Sequence, residues 1–345
     1  MYESITSEGD ACRHAYRNGI DSFLQRLNRE GGARRESFMP PDSFFERLEE
    51  YRKEYFSMLG LDLLETEPCH TPKLELLTEE ETCQIYRLTV PITAEVPMYA
   101  LFFLPVGVKK APLIVAQHGG GGTPELCADM NGKNNYNRMV RRFLARGAAV
   151  VAPQLLLWNY REEIETQRKH PIPYDRVKAD KELKRFGLSM TALEIKGIMN
   201  AITYLSSLPS VDENKIGMTG ISYGGYYTLH TAAADPRIKA AYAMACFNDR
   251  NVYSWHDWCY KGSANTFQDA EVAALCAPRK LFVSLGRADA VFDYRWAIAE
   301  AERAKKYFAA CGCPESFVFD LWDGGHTMRD DDLGVDFLLS ALEQP

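Results

Sequence analysis

The sequence lacks an excess of positive charge and a long apolar run. Its formal net charge is −7, from 40 Lys and Arg against 47 Asp and Glu, and no stretch approaches the 18 consecutive apolar residues of a transmembrane helix. An acidic chain repels phosphate backbones and anionic membranes, so we expect no nucleic acid and no membrane as partner. The first residues are polar, without the apolar core of a secretory signal, and we therefore expect a cytoplasmic location.

The sequence also lacks a cysteine framework. Its nine cysteines are odd in number and scattered, and several of them, such as Cys246 and Cys276, lie in apolar runs. This pattern is typical of reduced, buried thiols in a cytosolic protein. Cys311 and Cys313 have no second pair and no nearby histidine to complete a zinc site, so we expect no metal.

The periodicity of the apolar residues divides the chain in two. Residues 1–80 are charged and helical in pattern, which predicts an N-terminal helical extension packed on a larger body. Two alternating segments then predict an antiparallel strand pair, and six short apolar runs alternate with helical patterns up to residue 342. We predict an α/β fold over residues 81–345, with a mostly parallel, doubly wound sheet of about eight strands.

Two connections in this domain are too long for simple turns. They lie near residues 155–186 and 248–272, and each follows the carboxyl end of a predicted strand, where open α/β sheets bind their ligands. Trp158 and Trp255 supply aromatic surface within them. We expect these two residues to contact substrate, and packing of the insertions onto the body is an equally good interpretation.

The segment KIGMTGISYGG places Ser222 between Gly220 and Gly224. An apolar strand precedes this Gly-x-Ser-x-Gly pattern and a helical pattern follows it. That context is typical of a nucleophile elbow, a tight turn that exposes a reactive serine at the start of a helix. Glycines are expected on both sides because a Cβ there would collide across the turn.

A serine nucleophile needs a base, and the base needs an acid to orient it. Asp289 follows the predicted strand that ends at Gly286, and His326 follows the last predicted strand. The order Ser222, Asp289, His326 is the one that this type of fold uses. Asp293 is a rival acid, which we rank second because Asp289 lies nearer the strand end, and Asp323, three residues before His326, could form only a local contact.

A loop of four glycines, 119–122, follows the first parallel strand. It predicts an oxyanion hole in which a backbone N–H of Gly120 or Gly121 acts together with that of Tyr223. We expect His118 to buttress this loop and to line the substrate site. No Gly-x-Gly-x-x-Gly pattern opens a helix here, and the expected chemistry needs no cofactor.

These segments resemble the α/β-hydrolase superfamily, and within it the branch of dienelactone hydrolase-like and acetyl xylan esterase-like proteins. The resemblance covers about residues 85–342 and is carried by QHGGGG, GISYGG with the residues around it, SLGRADAVF and DGGH. It implies Ser222 as nucleophile, Asp289 as acid and His326 as base, with Tyr223 and the glycine loop as oxyanion hole. Dienelactone hydrolases proper use a cysteine nucleophile, so the serine argues against dienelactone as substrate.

The resulting prediction is a serine hydrolase of carboxylic esters, with a small acyl group such as acetyl on a carbohydrate as first choice. A peptidase or amidase of the prolyl oligopeptidase-like type is an alternative, although 80 helical residues are too few for the large gating domain of those enzymes. A non-catalytic binding protein on a hydrolase scaffold is the other alternative. A homo-oligomer is possible.

Overall fold

The structure, a computed structural model, describes residues 2–64, 71–130, 132, 134–156 and 175–343. Within these residues the strands are β1 (Lys73–Glu79), β2 (Cys83–Pro91), β3 (Pro97–Pro105), β4 (Ala111–Gln117), β5 (Ala149–Pro153), β6 (Val211–Ile221), β7 (Ile238–Met244), β8 (Lys280–Gly286) and β9 (Phe317–Trp322). They form one sheet in the order β1-β2-β3-β5-β4-β6-β7-β8-β9. β1, β2 and β3 are antiparallel to their neighbours, and the strands from β4 to β9 run parallel to one another.

The predicted fold class is confirmed, with one strand more than expected. β1 lies within the residues that the sequence pattern assigned to the helical extension. It is an edge strand with most of its residues exposed, so it has no alternation of apolar and polar side chains to reveal it. Its backbone pairs with β2, with Lys73 opposite Thr89. The sheet therefore begins about ten residues earlier than the sequence pattern indicates.

The helices are α1 (Tyr2–Phe38), α2 (Leu48–Leu59), α3 (Pro124–Cys127), α4 (Met139–Leu144), α5 (Arg176–Lys184), α6 (Met190–Ser206), α7 (Tyr223–Ala234), α8 (Asp269–Ala274), α9 (Tyr294–Ala310) and α10 (Leu333–Leu342). Glycines on both sides of the contact allow α10 to approach the sheet closely. A Cβ on Gly334 of α10 would lie 2.2 Å from the ring of Tyr242 on β7, and one on Gly217 of β6 would lie 2.6 Å from Leu338. α10 is thus fitted directly onto the central strands.

The N-terminal extension packs on this body unevenly. α2 buries Leu48, Tyr51, Tyr55 and Leu59 and ends at Gly60, whose φ of 81° is the left-handed conformation of a helix stop. In α1, only Gly31 and Arg35 are buried. No helix among the described residues is both long enough and apolar enough to span a membrane.

Candidate active site

The carboxyl ends of β4, β6, β8 and β9 carry the candidate catalytic groups. Because these strands are parallel, all four ends lie at one edge of the sheet, where open α/β sheets place their ligands. Ser222 follows β6, Asp289 follows β8 and His326 follows β9. The glycine loop follows β4. The topology alone therefore gathers residues that are more than a hundred positions apart in the chain.

Ser222 occupies a strained turn between β6 and α7. Its φ of 61° and ψ of −123° are unusual for a residue with a side chain. The conformation is held by two backbone hydrogen bonds, since the Ser222 N–H donates to the Met244 carbonyl at 2.9 Å and its own carbonyl accepts from Tyr226 N–H at 2.9 Å. Strain of this kind persists only where the surroundings enforce it, and it is typical of functional positions.

The flanking glycines fit the turn as expected. A Cβ on Gly220 would lie 2.4 Å from the Gly224 carbonyl oxygen, and one on Gly224 would lie 2.1 Å from the Gln117 carbonyl oxygen. A Cβ on Gly225 would lie 2.3 Å from the Met244 carbonyl oxygen. All three contacts are with backbone atoms, which cannot rotate away. The motif is therefore required by the close approach of β4, β6, β7 and α7.

Asp289 and His326 are joined by a hydrogen bond of 2.8 Å between Oδ2 and Nδ1. The other carboxylate oxygen accepts the N–H groups of Val291 and Phe292 at 2.7 and 2.9 Å, and the Asp289 side chain is fully buried. The Phe292 ring stacks on the imidazole with centroids 5.9 Å apart. These contacts fix the imidazole plane. Because Nδ1 faces a carboxylate oxygen, which accepts a hydrogen bond, the proton is assigned to Nδ1, and Nε2 is left free as a base.

The rival acids lie elsewhere. Asp293 caps α9 and pairs with the exposed Arg295, and Asp323 is almost fully exposed beside Arg287. Among the described residues the Ser222 hydroxyl has no hydrogen-bond partner. Contacts between a catalytic serine and its base are often long in the absence of substrate.

Three backbone N–H groups near Ser222 are available as oxyanion donors. In the glycine loop the Gly119 N–H donates to the Tyr136 hydroxyl at 3.0 Å, and the Gly122 N–H donates to the Gly119 carbonyl at 3.0 Å. The described residues contain no acceptor for the N–H groups of Gly120, Gly121 and Tyr223. A Cβ position on Gly120 lies 3.7 Å from the Tyr223 ring, so the loop passes directly over the start of α7.

His118 supports this loop from inside and does not reach the substrate side. The residue is fully buried. Its Nε2 accepts the Leu155 N–H at 2.9 Å, which leaves the proton on Nδ1, and Nδ1 lies 2.9 Å from the Gly119 carbonyl oxygen. Both ring nitrogens contact backbone groups, which is the geometry of a buttress and argues against the expected substrate contact.

An aromatic wall lies beside the elbow. The Trp255 ring lies 5.8 Å from the Tyr223 ring and 5.3 Å from the Phe292 ring that stacks on His326, and it packs edge-to-face on Trp258. Trp255 therefore lies where a substrate contact was expected. Trp158, the other expected contact, lies outside the described residues.

A buried ionic cluster, which the sequence pattern does not reveal, holds both insertions against α7. The Arg176 guanidinium donates to both oxygens of Glu194 at 2.9 and 2.8 Å and to Asp257 at 2.7 Å. Asp257 also accepts the Tyr223 hydroxyl at 3.1 Å, and Glu194 accepts the Tyr227 hydroxyl. We call these five residues the Arg176 cluster. It fixes the ring of Tyr223, the residue whose N–H is an oxyanion candidate.

Electrostatics explain why Arg176 stays charged and Tyr223 stays protonated. Burial by itself lowers the pKa of the Arg176 guanidinium, but the Glu194 and Asp257 carboxylates outweigh that effect and raise it above its ordinary value. Burial, together with the Asp257 charge, raises the pKa of the Tyr223 hydroxyl, which therefore remains a hydrogen-bond donor. The sequence offered only a partial signal: Glu194 is the one acid within the largely apolar α6, and a buried acid needs a partner, but the pattern does not identify that partner.

No metal site competes with this site among the described residues, and a cavity of ligand size lies apart from it. No group of three or more His, Cys, Asp or Glu side chains there could hold a metal ion. A cavity of about 580 Å³ lies between α2 and the segment around Tyr260 and contains none of the candidate catalytic residues. The candidate catalytic residues, and not this cavity, therefore define the candidate active site.

Comparisons with known proteins agree with this fold. Residues 98–257 match the dienelactone hydrolase family, a range that includes Ser222 but ends before Asp289 and His326. The quorum-quenching protein AidA of Acinetobacter baumannii is 28% identical over 159 residues, 45% of this chain and 42% of AidA. The match thus spans less than half the length of AidA. The putative hydrolase YtaP of Bacillus subtilis is 25% identical over 250 residues, 67% of this chain and 77% of YtaP.

A solved structure of a putative acetyl xylan esterase from Bacteroides fragilis has the same fold. It superposes with a TM-score of 0.62 at 16% identity, covering 81% of this chain and 75% of that chain. At this identity the likeness is one of fold. The resemblance to the dienelactone hydrolase-like branch, predicted from the motifs, is confirmed.

Proposed function

We propose that this chain, an α/β-hydrolase of the dienelactone hydrolase-like branch, is a serine esterase that cleaves a carboxylic ester through an acyl-enzyme. The observation that carries the proposal is the Asp289–His326 hydrogen bond of 2.8 Å at the same sheet edge as the strained Ser222. A partly exposed serine hydroxyl, a buried carboxylate and an oriented imidazole, in this chain order, are the parts of a nucleophilic triad.

In this mechanism the Ser222 hydroxyl attacks the ester carbonyl carbon while His326 Nε2 takes its proton. The oxyanion that forms is bound by the N–H groups of Tyr223 and of Gly120 or Gly121. The imidazolium, stabilised by Asp289, returns the proton to the leaving alcohol. Water then releases the acyl group from Ser222 by the same steps in reverse.

A small acyl ester of a carbohydrate is the substrate class that we propose. Trp255 supports it, because a partly exposed aromatic ring beside the elbow offers a flat apolar face of the kind on which a sugar ring stacks. The fold shared with a putative acetyl xylan esterase is a second support. We propose no substrate contact for His118, since the residue is buried beneath the glycine loop.

Labelling with a fluorophosphonate probe tests the mechanism. The wild-type protein is expected to label and to hydrolyse p-nitrophenyl acetate, and Ser222→Ala is expected to do neither, with a loss of roughly 10⁴-fold or more in kcat/KM. Ser207→Ala, at an exposed serine outside the site, is the matched control and keeps both activities. An unlabelled wild-type protein contradicts the triad.

A second panel tests the bond that is cleaved. We expect faster turnover of p-nitrophenyl acetate than of aminoacyl p-nitroanilides, and release of acetate from acetylated xylo-oligosaccharides. Faster turnover of the anilides would replace the esterase proposal with that of a peptidase. Turnover of p-nitrophenyl acetate without any release from the sugar esters would remove only the carbohydrate part of the proposal.

A further inference from the structure

The exposed helix α1 carries a continuous apolar stripe. Its residues recur at intervals of three and four, which places them on one face of the helix. Five of them are large and strongly exposed, with Tyr2 at 83% and Tyr16 at 75%. The opposite face holds small and polar residues such as Ser7, Asn18 and Ser22. The stripe consists of Tyr2, Ile5, Gly9, Cys12, Tyr16, Ile20, Phe23 and Leu27.

The rest of the chain holds α1 only by its last turns. Arg35 forms buried ion pairs with Glu271 at 3.1 Å and Glu300 at 2.9 Å, and a Cβ on Gly31 would lie 2.9 Å from the Ala264 carbonyl oxygen. Before Gly31 the ion pairs of Arg13 and Arg26 are with acids of α1 itself. About 29 residues, or roughly 43 Å of helix, therefore extend from the anchored end.

An apolar stripe of this length requires a partner. Helices in proteins are stabilised chiefly by packing of their apolar face, and contiguous exposed apolar surface marks an interaction site. The spacing, 25 residues in seven intervals, averages about 3.6 residues, so the stripe stays on one face along the helix and can pack lengthwise against a second helix. The partner that fits this period is another helix.

The stripe of one α1 is complementary to the stripe of a second, antiparallel α1. If α1 lies antiparallel to a second α1, Tyr2 faces Leu27 of the partner subunit and Ile5 faces Phe23 of the partner subunit. Gly9 then faces Ile20 of the partner subunit, and Cys12 faces Tyr16 of the partner subunit. Small residues oppose large ones in the two central layers, as interdigitated packing requires. All eight positions of the stripe are used in one register.

Charge selects the antiparallel direction. Residues 2–12 of α1 carry three acids and no arginine or lysine, namely Glu3, Glu8 and Asp10, whereas residues 13–38 carry six arginines against three acids. Antiparallel pairing places the acidic residues 2–12 beside residues 17–27 of the partner subunit, a segment with two arginines against one acid, whereas a parallel pair would place each acidic segment beside its own copy. The same acids disfavour an anionic lipid surface, which attracts helices with a basic polar face.

We propose that α1 is a dimerisation helix that pairs antiparallel with α1 of a second copy of this chain. The pairing is isologous, with the two-fold axis crossing the helices between Arg13 and Tyr16. The two catalytic bodies then lie at opposite ends of the helix pair, each with a complete site. The dimer is independent of the proposed esterase chemistry.

Sedimentation of the whole chain tests the dimer. At micromolar concentration the wild-type protein is expected at twice the chain mass of 39.1 kDa. The double variant Ile5→Glu, Phe23→Glu buries charge in the stripe and is expected to raise the Kd at least about 100-fold, with unchanged esterase activity. The control Ser7→Glu, Ser22→Glu, on the opposite face, stays dimeric. A monomeric wild type, or a stripe variant that remains dimeric, overturns the proposal.

Cross-linking tests the direction. Tyr16→Cys brings a new thiol opposite Cys12 of the partner subunit, so mild oxidation is expected to give a covalent dimer that Cys12→Ser in the same chain abolishes. A parallel pair would instead cross-link the wild type through its two Cys12 residues, and would still cross-link the double variant through position 16. Co-sedimentation of the wild type with anionic vesicles as a monomer would replace the dimer with membrane binding.

Discussion

α7 and α1 are both regular helices, but their surroundings are opposite. In α7 every residue from Gly224 to Ala234 is buried, and its side chains contact the sheet, α6 and α8 on several sides. In α1 only Gly31 and Arg35 are buried out of 37 residues. α7 is apolar nearly all round, whereas α1 has one apolar stripe and a polar remainder, as expected for these two environments.

The difference in burial corresponds to a difference in role, since α7 positions the candidate nucleophile and α1 presents an exposed surface. α7 begins at Ser222, and its first turns are fixed by contacts with backbone atoms and by the Arg176 cluster, so the nucleophile cannot shift without collision. Precision of this kind matters because a displacement of about 1 Å can cost 10²-fold in rate. α1 has no such contacts before Gly31, and its surface is arranged to be completed by a partner.

The largest expected difference between the two helices concerns their ion pairs. Arg176→Met leaves Glu194 and Asp257 buried without a cation, which is expected to destabilise the protein by about 3–5 kcal/mol. Arg13→Met, the matched control on α1, removes a pair with Asp10 whose side chains are 67% and 59% exposed, and is expected to cost less than about 1 kcal/mol. Urea unfolding measures both free energies.

Measurements of esterase activity give a second comparison of Arg176→Met and Arg13→Met. Loss of the Arg176 cluster frees the Tyr223 ring, so Arg176→Met is also expected to lower kcat, whereas Arg13→Met is not. Equal free energies of unfolding for the two variants would mean that the cluster does not hold the insertions as described.

Glycine substitutions give a smaller, opposite pair of effects. Gly224→Ala places a Cβ 2.1 Å from the Gln117 carbonyl oxygen, and overpacking of this kind is expected to cost about 1–3 kcal/mol and to lower activity. Gly19→Ala in α1 meets nothing within 4 Å and is expected to favour the helix by up to about 1 kcal/mol. Far-UV circular dichroism and esterase assays measure both changes.

The two glycine variants also separate crowding from helix propensity. If Gly224→Ala were active and as stable as the wild type, the backbones of β4 and α7 would not be in the close contact that the structure shows. If Gly19→Ala lost helix content, α1 would not be a solvent-exposed helix.

The sequence alone predicted the parts of the molecule that local patterns encode. The six parallel strands are continuous apolar runs, and the sequence placed Ser222, Asp289 and His326 after three of them. It missed β1 because an exposed edge strand is specified by backbone pairing with β2 and not by burial.

The Arg176 cluster was missed for a different reason. Its members lie on α5, α6, α7 and the 248–272 insertion, and no local pattern reports which charged residues will meet. The same is true of His118. The sequence placed this residue beside the glycine loop, but it did not show that the ring points into the core of the protein. Sequence patterns thus predict where strands end, and packing decides which side chains face the substrate.

A more gradual expected effect is a pH dependence that arises from a buried histidine of α7. His230 is buried, its Nδ1 lies 2.5 Å from the Tyr55 hydroxyl, and it stacks on the Tyr226 ring. Burial, with the nearby Arg250 charge, holds its pKa well below the ordinary 6.5. The unfolded chain takes up this proton near pH 6.5 and the folded protein does not, so the free energy of unfolding falls as pH decreases below about 6.5.

The expected size is at most about 1.4 kcal/mol per pH unit for one such proton. His230→Gln removes the titrating group and keeps an acceptor for the Tyr55 hydroxyl, so its free energy of unfolding is expected to change less between pH 7 and pH 5 than that of the wild type. His14→Gln, at an exposed position of α1, is the matched control and keeps the wild-type slope. If His230→Gln kept that slope as well, the acid sensitivity of the fold would arise from groups outside the α7 stack.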